Sequence, residues 1–147
     1  MDTLTHGLTG SVLARPFTDR PGARAALWTG FVAALLPDLD VLFLHTRLDY
    51  LRLHRGWSRS FVTLPVFALA VALLVRLVFR RARIVSLWLF AAIAIASHIL
   101  FDWITSFGTM FFFPISRTRY SLDWVFILDP IVTGLALATL VAAARSR

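Results

Sequence analysis

His98 and Asp102 stand four residues apart in the stretch Ser97 to Thr109, SHILFDWITSFGT, directly after the apolar run LWLFAAIAIA. On a helix they share one face, one turn apart. An ionisable pair in so apolar a run is expensive to insert and is by default a functional-site hypothesis. An imidazole and a carboxylate at this spacing can hold one cation from a single helix. The plainer use is a buried His–Asp hydrogen bond tying two helices together, and taken alone the pair favours it.

Three further motifs offer the same chemistry. In PDLD, Pro37 to Asp40, two carboxylates sit one residue apart where a proline loosens the helix, so both can turn toward one cation. Solvated acids at a helix end would read equally well. HRGWSRS, His54 to Ser60, places an imidazole, arginines and a glycine in a loop. Arg55 there suits a surface anchor as well as a phosphate clamp. THG, Thr5 to Gly7, puts His6 in the first turns of a short helix, and Asp129 in FILDP opens the last apolar run. His6, Asp38, Asp40, His54, His98, Asp102 and Asp129 make a mixture that hard and borderline divalent cations accept, and it could serve two ions. His45, Asp49 and Asp123 are set aside as bystanders.

The elements that must position these groups are membrane spans. Of 147 residues, 59% are hydrophobic, and the mean hydropathy is +0.76, well above an ordinary soluble domain. The length suits one domain, residues 1–147. All 15 basic residues are arginine and all 8 acidic ones aspartate, with no cysteine for a disulfide or thiolate site. A net charge of +7 suits anionic lipid headgroups. The arginines are scattered between spans rather than gathered on a soluble module, so no nucleic-acid partner is expected. MDTLTHGLTG has no basic n-region, and no signal peptide is read there.

Asp2 to Ala14 reads as a short helix, ended by the turn region RPFTDRPGAR. Long spans are expected at about 25–44, 61–79, 84–105 and 124–144. The predicted fold is an all-α polytopic membrane bundle: four transmembrane helices and a short N-terminal helix. Alternating the spans puts nine arginines toward one side of the membrane and six toward the other. Seven of the eight aspartates and all four histidines fall on the side with six. The positive-inside rule makes the arginine-rich side cytoplasmic and the polar site extracytoplasmic.

The order of the motifs, MDTLTHGLTG, PDLD, HRG-x-S-x-S and H-x-x-x-D-W-x-T-x-x-G, resembles the YdjM-type membrane-bound metal-dependent hydrolases over nearly the whole chain. The resemblance implies a hydrolase of a bacterial inner membrane, distantly similar to zinc-dependent phospholipase C and P1-type nucleases. It implies a divalent metal, zinc with manganese or magnesium as alternatives, as one or two ions. One position departs from the pattern. Where the family reads HRG-x-T-H-S, this chain has Arg59, and a guanidinium offers no lone pair to a metal. Either fewer ligands suffice, or Arg59 binds an anionic substrate, or activity is lost.

The expected function is hydrolysis of a phosphoester, lipid-linked by its location, with membrane lipids as partners. Asp40 would take a proton from water, and Arg55 or Arg59 would fork onto the phosphate. The alternative is a non-catalytic membrane protein that keeps the cluster for structure, partner binding or ion binding. A small transporter fits less well, because its polar residues should lie near the bilayer midplane.

Overall fold

Proline and small residues set the helix boundaries and seams of this chain. The computed structural model describes residues 3–14, 22–126 and 130–145. Most of the RPFTDRPGAR turn and Asp129 lie outside the described residues. Helices run α1 Thr3–Ala14, α2 Ala23–Leu35, α3 Arg47–Leu53, α4 Leu64–Val78, α5 Ile84–Trp103 and α6 Pro130–Arg145. No strand is present among the described residues, only two isolated bridges, Thr105 to Val125 and Thr109 to Tyr120. The expected all-helical membrane bundle is therefore the observed one. Pro65 and Pro130 stand in the first turns of α4 and α6, where a missing N–H costs nothing.

α5 is the axis. Its 20 residues at about 1.5 Å each reach the full depth of a hydrocarbon core. One stripe along it is buried: Leu87, Ala91, Ala94, Ile95, His98, Ile99 and Asp102. α4 answers with Ala68, Val71, Ala72 and Val75, and α2 with Ala33 and Ala34, all in one apolar cluster. Small residues let the backbones approach, which matters in lipid because tails are as apolar as leucine. α1 crosses α2 closer still. A Cβ on Gly10 would stand 2.4 Å from the Gly30 carbonyl oxygen, so only glycine fits there. α4 turns its other side, Leu73, Leu77 and Val78, outward, as a lipid-facing surface does.

α2 and its 3₁₀ continuation form an apolar stretch, Arg24–Phe43, long enough to cross a membrane, as does α5. The segment Tyr50–Arg59 followed by Leu64–Val78 passes the same test as a pair bent by 69°. The fourth span is shorter than expected. Residues 122–126 are not helical: Asp123 has a left-handed φ of 55°, Leu122, Trp124 and Val125 hydrogen-bond back to Trp103 and Ile104, and the described helix runs from Pro130. Apolar composition at Trp124 to Phe126 reads as helix in sequence, but backbone bonds to the end of α5 hold Trp124 and Val125 out of a helix.

Candidate functional site

The site forms where three helices lose regularity at the same end of the bundle. α2 tightens into a 3₁₀ stretch, Leu36–Phe43, with Pro37 in its first turn. Such a tightening often marks a functional site, and it carries Asp38 and Asp40. α3 ends at Leu53, and the chain reverses through Arg55, whose φ of 62° lies in the left-handed region. A non-glycine residue holds that conformation at a cost, and it persists only where the surroundings fix it. Here the Arg55 N–H donates to Asp40 Oδ2 at 3.2 Å, and its carbonyl accepts from Met110 N–H at 3.2 Å. α5 ends one residue beyond Asp102, at Trp103. His6, Asp38, Asp40, His54, Arg55, Arg59, His98 and Asp102 thereby converge.

His98 is oriented as a ligand would be. Its Nδ1–H donates to the Ala34 carbonyl at 2.7 Å, a bond that leaves the Nε2 lone pair facing inward. Nε2 lies 3.2 Å from Asp102 Oδ2, and two acceptors that close require a donor or cation between them. Arg59 supplies it: its Nε–H donates to His98 Nε2 at 3.0 Å, and the same nitrogen makes an ion-pair contact with Asp102 Oδ2 at 2.6 Å. The rest of the guanidinium takes Asp40 Oδ2 at 2.9 Å through one terminal nitrogen and Asp38 Oδ1 through the other. Arg59 is only 1% exposed.

His6 stacks on His98, with centroids 3.6 Å apart, and its Nε2 lies 3.3 Å from Asp102 Oδ1. Arg55 reaches the same carboxylate oxygen at 3.3 Å and donates to Thr105 Oγ1 at 3.0 Å. His54 Nδ1 lies 3.1 Å from Asp40 Oδ1, and Ser58 Oγ donates to Asp40 Oδ2 at 3.1 Å. His6, His98 and Asp102 present three ligand atoms within 4.8 Å of one another, a set that could hold a metal ion. The donors fit one, since buried His6 Nδ1 and Asp38 Oδ2 have no hydrogen-bond partner. With the imidazoles neutral, three carboxylates face two guanidiniums, so the cluster keeps one surplus negative charge.

Beside the cluster is a cavity of about 460 Å³, walled by Leu36, Leu39, Phe43 and Trp57, with Asp40 and Ser58 as its polar residues. Phe43, 77% exposed, stands at its rim.

Of the residues singled out in sequence, His6, Asp38, Asp40, His54, Arg55, Arg59, His98 and Asp102 share this cluster. Asp129 lies outside the described residues, and exposed His45 and Asp123 make no contact with it. Sequence reasoning missed Ser58, Thr105, the Ala34 carbonyl and Phe107. The Phe107 ring lies under both Arg55 and Arg119, 4.9 and 5.1 Å from the guanidinium carbons. Arg119, on the loop after α5, also donates to the His54 carbonyl at 3.0 Å. Burial lowers its pKa from the ordinary arginine value, and nearby Arg59 adds to the effect. The signal for such packing is the Gly-containing aromatic stretch SFGTMFFFP, Ser106 to Pro114, in which Phe107 stands.

These features define a helical membrane protein with a buried ionisable cluster at one end of its bundle. The chain belongs to the YdjM inner membrane protein family, whose model matches residues 1–147. It is 27% identical over 140 residues to the uncharacterized protein YfhP of Bacillus subtilis, covering 90% of this chain and 43% of YfhP. It is 34% identical over 105 residues to the inner membrane protein YbcI of Escherichia coli, covering 67% of this chain and 58% of YbcI. The chain thus spans about half the length of the curated relatives it matches. No solved structure matches it.

Proposed function

We propose that the cluster is the hydrolytic centre of a membrane-bound phosphoesterase that takes a divalent ion on His6, His98 and Asp102. The observation that carries this reading is the convergence of buried His6, His98 and Asp102, whose ligand atoms lie within 4.8 Å of one another. A bound zinc or manganese ion supplies Lewis-acid activation of water and charge stabilisation on phosphoryl oxygens. The chain's own residues do the remaining work. Asp38 and Asp40 are the more exposed carboxylates of the cluster, and Asp40 borders both the cluster and the apolar cavity. Asp40 would receive a proton from an attacking water, and the His54 Nδ1 at 3.1 Å from its Oδ1 supports that role. Arg55 fixes Asp102 and Thr105, and so the end of α5.

The cavity's apolar walls and exposed rim suit an acyl chain entering from the bilayer, which supports a lipid-linked phosphoester as substrate. The arginine-rich α4–α5 turn lies at the opposite end of α5, which supports an extracytoplasmic site. A second reading rests on Arg59. Its guanidinium already joins the carboxylates, as in a non-catalytic cluster kept for structure.

Detergent-purified protein separates the two. In the first case it carries zinc or manganese and cleaves a chromogenic phosphodiester or a phospholipid in mixed micelles. His98→Ala then abolishes both in a sample that remains folded. Folded parent protein with neither metal nor turnover sinks the hydrolase reading.

A further inference from the structure

A guanidinium buried in the polar interior of a membrane bundle is costly unless every N–H finds an acceptor. Each nitrogen of Arg59 has an acceptor. Its three nitrogens reach three different carboxylates, Asp38, Asp40 and Asp102, carried by two segments far apart in the chain. The same Nε also faces the inward lone pair of His98 at 3.0 Å. Each carboxylate turns one oxygen to this one side chain, as carboxylates around a shared metal ion do. Ser58 and the Arg55 N–H brace the Asp40 oxygen that Arg59 contacts.

We propose that the Arg59 guanidinium is the resident cation of the Asp38–Asp40–Asp102 side of the cluster, standing where a second divalent ion would otherwise be needed. The chain then takes at most one ion, through His6, His98 and Asp102, and that ion must take the His98 lone pair from the Arg59 Nε–H while the terminal nitrogens keep Asp38 and Asp40. This deepens the hydrolase reading by fixing the ion count, yet it concerns charge and stands without turnover. Its physical basis is repulsion. Three carboxylates in one buried cluster cannot all stay ionised without positive charge among them. The Arg55 guanidinium meets Asp102, whereas Arg55 reaches Asp40 only through its backbone N–H. Without Arg59 those acids must recruit a cation from solution or go without a guanidinium partner.

Arg59→Met, close in length and uncharged, tests this. The variant is purified in detergent with EDTA or with added zinc or manganese, beside the parent and Arg59→Lys. Metal per chain is read by mass spectrometry and folding by size exclusion and thermal unfolding. The expected result is that Arg59→Met is recovered folded only with metal and holds one ion more than the parent, while Arg59→Lys matches the parent's ion count. A parent holding two ions overturns the proposal. So does Arg59→Met with parental melting in EDTA, or Arg59→Met that fails to fold under both conditions, or Arg59→Lys that gains an ion. A parent with no metal and no turnover removes the hydrolase reading, whereas a metal ion gained by Arg59→Met still supports the resident cation.

Discussion

The two ends of the buried stripe on α5 are held by different forces. From Leu87 to Ile95 the stripe meets α2 and α4 through alanines and branched aliphatics. From His98 to Asp102 it meets α1, the PDLD turn and the HRGWSRS loop through ions and hydrogen bonds. Both ends are equally buried, so burial alone does not distinguish them. The apolar end is fixed by shape, and in lipid shape acts through close contact rather than through release of water. The polar end is fixed by charge balance, and it fails as a unit when one member goes. A bundle built this way can be strong at one end and switchable at the other.

That contrast is sharpest at Asp102, which touches His6, Arg55, Arg59 and His98. Asp102→Ala should cost about 3–5 kcal/mol, as breaking buried ion pairs does. Unfolding in a denaturing-detergent titration reads it, and a loss below that of the apolar substitution described next would break the contrast. At the other end, Ala94→Leu overfills a fully buried contact and should cost about 1–3 kcal/mol. It should leave metal content unchanged, whereas Asp102→Ala should empty the site. Ser58→Ala removes one hydrogen bond to Asp40 and should cost about 1 kcal/mol. Topology gives the smallest energetic effect and a decisive readout. Single cysteines at exposed Thr46 and Ser121 should label from one side of the membrane and one at exposed Arg81 from the other, with stability unchanged within about 0.5 kcal/mol. Labelling of all three from one side would mean that the two ends of α5 do not face opposite compartments.

What sequence could reveal follows from how local each signal is. The His98/Asp102 pair was legible because helical spacing fixes it, and the two side chains meet at 3.2 Å. Pro37 announced the break in α2, and the break is there. The inward turn of Arg55 and Arg59 was not legible. It depends on a left-handed residue at Arg55 and on carboxylates up to 47 positions away. Spacing carries no trace of such pairing. The start of α6 was misjudged for the same reason, since a long-range backbone bond from Trp124 to Ile104 overrides the apolar pattern.

The order in which the cluster's charges occur along the chain bears on how the protein is made. Asp38, Asp40, Arg55 and Arg59 all precede α4, and among themselves they balance. In a nascent chain that ends before α5, the cluster residues already made cancel one another's charge. Asp102 emerges about forty residues after Arg59, at the far end of α5, and brings the negative charge that tips the set. The cation affinity proposed above would therefore be a property of the completed bundle and not of its parts. During biogenesis it would arise only once the last turn of α5 is in place.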